Sequence, residues 1–548
     1  MKTTATAAML LFALYASSAG LRASQIHVPA DFSTIQGAVD AAGAFDTVVV
    51  APGTYTENVI IQGKATRLAS HFLLDGNLEH LRETIIDGSN PVHADSASVI
   101  RLINAGDALV LGFTLTGGAG TLFRDVSDGL LYREGGAILT EGGTPRIYDN
   151  LIIANSAADR TGAKSAGGGG IRCGYGSADI RHNVIAYNTG RYGGGIVLFH
   201  NDGVLKNNIF YRNAGGEDFG GGGIWATSAG GTHTFENNTI VENRSVLDGG
   251  GILLWANAAT MANNIIWGNT AGIDPQVRLR SGAAASTVSY SDVEGGFGGT
   301  ANIALPPLFF SSNLYLDLLS PCVDAGSPAV GNYDPADPVD GSLALAPARG
   351  TRHNDMGAYG GPGMRDFPLF NAPGIATDVS SAELGTVPVA QSGTLWLRVS
   401  KTAYGLARID SVLWGGDPLG ALDVETALPV SMGPSPADSL DSLKIIWTPN
   451  TYGDLQDTLF IYHSDGTVTS PIVIALSGTA PGTTGDVNFD GVMTSGDIIY
   501  LVNYTFKGGP PPQPVPAAGD VNCDGNVTSA DIIFMVNFVF KSGPGPCS

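Results

Sequence analysis

The sequence predicts a mainly β protein: a long parallel β-helix (β-solenoid), then a β-sandwich, then a small α-helical module built on calcium loops. Three observations predict it. A glycine run followed by an aliphatic residue recurs between residues 135 and 252, each copy followed by two asparagines five residues apart. Short alternating segments between Gly, Pro and Asp turns come next, and a twelve-residue pattern of oxygen-bearing side chains occurs twice near the C-terminus.

Residues 1–24 read as an export signal. Lys2 supplies the positive end, Ala7 to Ala16 is a short apolar run, and the small residues Ser17, Ser18, Ala19 and Gly20 follow. That run is too short to span a bilayer and no later stretch is long enough, so no transmembrane segment is expected. The mature chain is expected to be secreted or held at the cell surface, as a monomer. Hydrophobic residues make up 43% of the 548 and charged residues 14%, a composition of folded matter. With 50 acidic residues against 28 basic ones, the net charge of −22 repels nucleic acid and anionic membranes and favours cations as partners. Outside the cytoplasm the four cysteines can be oxidised; of their three pairings, Cys523 with Cys547 is favoured, because both lie in one small module. Cys173 reads equally well as a buried free thiol.

Residues 25–365 carry the repeat. The glycine runs are Gly135-Gly136-Ala137-Ile138, Gly169-Gly170-Ile171, Gly194-Gly195-Ile196, Gly222-Gly223-Ile224 and Gly250-Gly251-Ile252. The asparagine pairs are Asn150/Asn155, Asn183/Asn188, Asn208/Asn213, Asn238/Asn243 and Asn264/Asn269. A period of 25 to 33 residues means stacked supersecondary units. Between the asparagines lie β-branched and aromatic residues (Val184, Ile185, Tyr187; Ile209, Phe210, Tyr211; Ile265, Ile266, Trp267), which favours strands over paired helices. Parallel strands of successive coils then stack about 4.8 Å apart. Asparagine suits a stacked turn, because its amide both donates and accepts. Glycine is expected to supply the positive φ that the turns require. Upstream, a strand from Ile26 to Pro29, a helix over Ser33 to Ala44, a strand from Thr47 to Val50 and a turn over Pro52 to Tyr55 form a cap. Ile35, Ala38, Val39 and Ala42 cover its apolar end.

This upstream run resembles the N-terminal part of pectate-lyase-like right-handed parallel β-helix proteins, and Gly112 to Gly118 resembles that family's first coil. The stretches Ser320 to Gly326 and Asp355 to Gly361 resemble the usual end of such secreted repeat proteins. The resemblance covers roughly residues 25–365 and implies a fold, not a chemistry.

Over residues 366–481, segments from Thr394 to Val399, Ile409 to Trp414, Leu443 to Trp447, Asp457 to His463 and Pro471 to Leu476 predict a small antiparallel sandwich. It resembles the bacterial immunoglobulin-like spacer domains, which implies a linking role.

Residues 482–548 hold the two loops. Asp486, Asn488 and Asp490 occupy positions 1, 3 and 5 of the first, with Gly491 at 6 and Asp497 at 12; Asp520, Asn522, Asp524, Gly525 and Asp531 repeat them 34 residues later. Position 7 (Val492, Asn526) offers a backbone carbonyl, and position 9 (Thr494, Thr528) a hydroxyl that can hold a water. This is the ligand set of a seven-coordinate calcium loop, so two Ca²⁺ ions are expected. Each loop runs into an apolar helix, Ile498 to Phe506 and Ile532 to Phe540, and no helix precedes either loop. That layout resembles dockerin type I repeats. The resemblance implies a cohesin-like or other surface receptor, contacted by the residues at loop positions 10 and 11. Here these are Ser495 and Gly496, Ser529 and Ala530, and Gly496 departs from the bulkier residues often found there.

The insertions ahead of the glycine runs carry the candidate binding edge: Arg124, Asp125, Asp128, Tyr132, Arg133 and Glu134 before the first run, then Asp159, Arg160 and Lys164, then Arg191 and Tyr192, Glu217, Asp218 and Phe219, and finally Arg244 and Asp248. Stacked coils place them along one side. Cations there could bind uronate carboxylates, acidic groups could hold calcium, and rings could stack on sugar faces. Mixed charges on solenoid loops are also simply solvated. No compact catalytic acid cluster is evident. Three functions stay open: engagement of extracellular polysaccharide, including acidic glycan; a non-catalytic rod with a structural or adhesive role; and a polysaccharide lyase or glycoside hydrolase.

Overall fold

A computed structural model describes residues 24–547 except 228–229, 257, 310–312, 368–374, 389–390, 402–406, 417–419, 433–441, 451–452, 464–470, 481–483 and 514–515. The export signal expected over residues 1–24 lies outside the described residues but for Ser24. The chain divides into two compact units, Met1–Phe370 and Asn371–Ser548.

The first unit is a right-handed parallel β-helix built on three long sheets of ten, nine and eight strands. A representative coil gives Ile138–Glu141 to the eight-stranded sheet, Arg146–Tyr148 to the ten-stranded sheet and Leu151–Ile153 to the nine-stranded sheet. The next coil lies over it in register, with Ile138 on Ile171, Ile147 on Ile180 and Ile152 on Ile185. Alternation turns these isoleucines inward, and all six are buried. At about 25 cal/mol for each Å² of apolar area removed from water, such columns supply most of the driving force.

The asparagines form two ladders. Asn183 Nδ2 donates to Asn208 Oδ1 at 3.1 Å, Asn208 Nδ2 to Asn238 Oδ1 at 3.1 Å, and Asn238 Nδ2 to Asn264 Oδ1 at 3.1 Å. The second ladder links Asn155, Asn188, Asn213, Asn243 and Asn269 in the same way. Each rung is also tied to backbone: Asn208 Nδ2 donates to Ile180 O at 2.8 Å, and Asn183 N donates to Asn208 Oδ1 at 3.0 Å. Because rung and partners are all buried, Asn208→Ala leaves several polar groups without water or partner. We expect it to cost about 3–5 kcal/mol in a denaturant titration. A loss below about 1 kcal/mol would mean the ladder is dispensable.

Glycines at the head of the runs, Gly135, Gly168, Gly193, Gly221 and Gly249, hold φ between 51° and 76° as expected, but glycine does not bend every turn. The residues preceding the first ladder, Asp149, His182, Asn207, Asn237 and Asn263, hold φ between 52° and 58°. Asn, Asp and His tolerate this region better than other non-glycine residues. The second glycine of the later runs instead answers a close approach. A Cβ on Gly223 would stand 2.7 Å from the Gly251 carbonyl oxygen of the next coil. Glycine is there because neighbouring backbones pass too closely for a side chain.

The cap forms largely as expected. The helix spans Ile35–Ala41, with Thr34 as N-cap accepting from Gly37 N at 3.1 Å, and Ile35, Ala38, Val39 and Ala42 are buried. Two local readings are corrected. Gly53–Thr56, within the expected turn, is a strand. Gly112 to Gly118 is not the first coil: Thr114–Thr116 pairs with Thr84–Asp87, which itself pairs with Gly53–Thr56. Short helices at Phe72–Asp75 and Glu79–Glu83 interrupt the early coils and hide their period.

The end of this unit runs back along the turn column. Asn237 Nδ2 donates to Asp355 O at 3.0 Å, Asn207 Nδ2 to Gly360 O at 2.7 Å, His182 Nε2 to Gly363 O, and Arg365 pairs with Asp149 at 3.2 Å. Burial raises the Asp149 carboxyl to about 6 against the pull of Arg365, and burial lowers His182 to about 3. Cys173 and Cys322 are buried free thiols.

In the second unit a five-stranded and a three-stranded sheet, with a two-stranded one, enclose a core including Trp447, Leu459, Ile461 and Ile474. It is not wholly antiparallel, since Ser381–Thr386 pairs in parallel with Ile472–Ala480. The strand Ser381–Thr386 and the strand Gly420–Val424 were not expected, because neither is strongly apolar. The C-terminal module contains helices Ser495–Lys507 and Ser529–Lys541, each starting three residues earlier than hydrophobicity alone suggests. Cys523 and Cys547 form the expected disulfide.

Candidate functional site

A cleft of about 320 Å³ lies over the outer face of the eight-stranded sheet. Alternation builds its floor. In Ile171-Arg172-Cys173 and Ile224-Trp225-Ala226 the flanking residues point into the solenoid and the central one points out. Register then sets Arg172, Val197, Trp225 and Leu253 in one row, and Gly174, Phe199 and Thr227 in the next. One wall is the hairpin of Gly120–Arg124 and Leu131–Glu134, whose residues Asp125, Asp128, Tyr132 and Glu134 line the cleft.

Arg172 is fully buried beneath that wall. Its Nε donates to Glu134 at 2.7 Å, and its guanidinium also pairs with Glu141 and, at 3.5 Å, with Asp125. The guanidinium lies 4.5 Å from the Phe123 ring centroid and 5.6 Å from that of Phe199. Gly174 makes room for it, since a Cβ there would fall 2.0 Å from Arg172 Nη1. The three carboxylates differ in character. Burial raises Glu134 to about 7, with Arg172 opposing, and burial likewise raises Glu141. Burial also pushes Asp125 upward, but hydrogen bonds from Ser127 and Tyr175 and the charge of Arg172 outweigh it and hold Asp125 below its ordinary value.

The opposite side is aromatic. Tyr192 meets Phe219 edge-on at 5.1 Å and Trp225 at 5.4 Å; Phe199 stacks with Trp225 at 6.3 Å, and Trp255 lies 6.3 Å from Trp225. Phe199, Phe219 and Trp255 remain partly open to solvent. Such a set offers flat apolar faces beside carboxylate acceptors, a surface fitted to polyhydroxylated rings.

Of the edge residues named from the sequence, Asp125, Asp128, Tyr132, Glu134, Tyr192 and Phe219 line this cleft, and the others lie elsewhere. Arg191 bonds Asp218 at 2.9 Å and Glu217 at 2.5 Å, and Arg160 reaches Asp218 at 3.6 Å. Asp248 does not join them; it pairs with Arg280 at 2.9 Å and Arg278 at 3.4 Å. Asp159, Lys164 and Arg244 are exposed, and Asp159 accepts from Thr161 N at 2.8 Å. Arg172, Phe199, His200, Trp225 and Trp255 were missed. Arg172 and Trp225 stand one place after a stacked isoleucine and Phe199 and Trp255 three places after one, so a charged or aromatic residue at these outward positions was the available signal.

In the C-terminal module each first-position carboxylate is already aimed into its loop. Asp486 accepts from Asp490 N at 3.1 Å and Gly491 N at 2.9 Å, and Asp520 from Asp524 N at 3.0 Å and Gly525 N at 2.8 Å. Gly491 and Gly525 take φ of 87° and 88°, the bend a side chain resists. Asp497 and Asp531 are buried at the helix starts and close capping boxes with Thr494 and Thr528. The carboxylates of Asp486, Asp490 and Asp497 lie within 4.8 Å of one another. With Asn488, the Val492 carbonyl and Thr494 they form a hard oxygen set that fits calcium, as Asn522, the Asn526 carbonyl and Thr528 do in the second loop. Ser495, Ser529 and Ala530 are exposed and Gly496 is half-buried. Ile499 and Phe506, and their counterparts Ile533 and Phe540, are each more than 60% exposed, a duplicated apolar face.

The family description "Right handed beta helix region" matches residues 84–240 and 125–276, and "Dockerin type I domain" matches residues 484–540. No curated protein sequence matches the chain. Similar solved structures include a pectin methylesterase mutant in complex with hexasaccharide IV, 11% identical, covering 56% of this chain and 99% of that one at a TM-score of 0.29. Pectin methylesterase PemA from Erwinia chrysanthemi is 9% identical, with 54% and 97% covered at a TM-score of 0.29. Escherichia coli YbhC is 13% identical, with 51% and 75% covered at a TM-score of 0.26. Overlap at that level is too slight to transfer a chemistry. Among the described residues no helix is long and apolar enough to cross a membrane. The stacked ladders, the three parallel sheets and the paired loops at the end of the chain agree with the two family matches: this is a right-handed parallel β-helix repeat protein with a C-terminal dockerin type I module.

Proposed function

We propose that this chain is an extracellular polysaccharide-directed protein, exported by its N-terminal segment, in which the β-helix engages a sugar chain and the C-terminal module docks to a cohesin-like or other surface receptor. The observation that supports the first half is the cleft in which Phe199, Phe219 and Trp255 present rings beside Asp125, Asp128 and Glu134. A structural rod needs no such concavity. The second half rests on the paired loops, which we read as two calcium sites, and on the duplicated apolar face of Ile499, Phe506, Ile533 and Phe540.

Binding is tested by titrating oligosaccharides into the full-length protein with calcium present. Trp255→Ala should weaken binding roughly tenfold, since one lost ring contact is worth about 1 kcal/mol beyond its area. Unchanged affinity would move the site away from the cleft. A second reading, glycoside hydrolysis, is favoured by one feature: Glu134 near 7 beside ionised Asp125 is the separation of acid and base that such chemistry uses. Release of reducing ends by the wild type, abolished in Glu134→Gln, would establish it; no release between pH 5 and 8 would reject it.

A further inference from the structure

We propose that the glycan taken by this cleft carries no carboxylates: it is a neutral or amino-bearing sugar chain, not a uronate polymer. The inference rests on the cleft being a glycan site. Among the described residues its lining contains three carboxylates, Asp125, Asp128 and Glu134, and neither lysine nor arginine. The guanidinium beneath, Arg172, has no exposed surface and is spent on Glu134, Glu141, Asp125 and the Thr140 carbonyl. A uronate entering here would therefore meet like charge with no cation left to receive it. Hydrogen bonding holds Asp125 in its charged form, so the repulsion persists at neutral pH. Like charges a few ångströms apart near a protein surface repel strongly enough to dominate a sugar contact.

Two arginines along the edge are closed as well. Arg191 is bound by Glu217 and Asp218. Arg280 lies 4.5 Å from the Trp255 ring centroid, but its Nε and Nη2 both donate to Asp248, at 2.9 and 3.0 Å. What the cleft does offer is complementary to hydroxyl or ammonium groups. Trp225 is 6% exposed, and its Nε1 has no hydrogen-bond partner among the described residues. A buried donor of this kind is costly unless a ligand oxygen meets it. The carboxylates provide acceptors for hydroxyl or ammonium donors.

The test uses the full-length protein with three probe sets: neutral gluco-, xylo- and manno-oligosaccharides, glucosamine oligomers, and oligogalacturonate with oligoguluronate. The expected result at pH 8 and low salt is binding of a neutral or amino set with uronates at least roughly tenfold weaker, the gap narrowing in 1 M salt as charges are screened. Asp128→Lys, at an exposed position, should raise uronate affinity roughly fivefold. Uronates binding as tightly as neutral sugars, with Trp255→Ala still weakening them, would overturn this inference and leave the glycan site standing. Failure of every probe to bind would remove the glycan site and the inference with it.

Discussion

Arg172→Met is expected to destabilise the solenoid by about 3–5 kcal/mol, more at pH 8 than at pH 5. The guanidinium has no exposed surface and is the counter-charge for Glu134, Glu141 and Asp125. Removing one partner of a buried ion pair costs that much because the remaining charge is left without water or counter-ion. The pH sign follows from the carboxyls. Glu134 already sits at about 7 in the folded protein, above its ordinary 4.5. A carboxyl raised in the folded state penalises folding fully above its folded value, and the penalty disappears as pH falls to the unfolded value. Loss of Arg172 raises these carboxyls further, so the penalty grows at pH 8 and protonation relieves it at pH 5. Denaturant titrations at the two pH values measure this. Equal losses at both would show that the carboxylates are not ionised partners of Arg172.

Calcium removal is expected to unfold the C-terminal module while the β-helix stays folded. The module's core is small, with Val487, Leu501, Val521 and Met535 as its fully buried apolar residues. A domain of this size is marginal without a staple. In the first loop three carboxylates stand within 4.8 Å of one another, and their mutual repulsion opposes folding until a cation enters. The disulfide between Cys523 and Cys547 constrains the unfolded chain but supplies no positive charge. Binding free energy is then folding free energy. Calorimetry should give two calcium equivalents with a gain of helix by circular dichroism, and Asp486→Ala with Asp520→Ala should abolish both. A single equivalent would assign the ion to the first loop alone, and none would refute the site.

The solenoid and the calcium loops were legible in the sequence because each is specified by local repetition. A stacked rung needs the same side chain at the same place in every coil, so Asn183, Asn208, Asn238 and Asn264 reveal the fold by recurring. A calcium loop gathers its ligands within twelve residues, so spacing alone identifies them. The early coils were less legible, since the helices at Phe72–Asp75 and Glu79–Glu83 break the period. The cleft depends on a different kind of information. Glu134 and Arg172 are 38 residues apart and meet because the hairpin strand ending at Glu134 folds over the outward side of the strand that carries Arg172. Phe199, Trp225 and Trp255 are unremarkable in sequence and join Phe219 in a wall through register and insertion length. Arg191 and Asp248 looked like free ligands until the coils delivered a partner to each. Local repetition determined what this chain winds into. The side chains brought together across coils, and the burial that changes their charge, were decided by the tertiary structure, because contacts across coils depend on the course of the insertions between repeats.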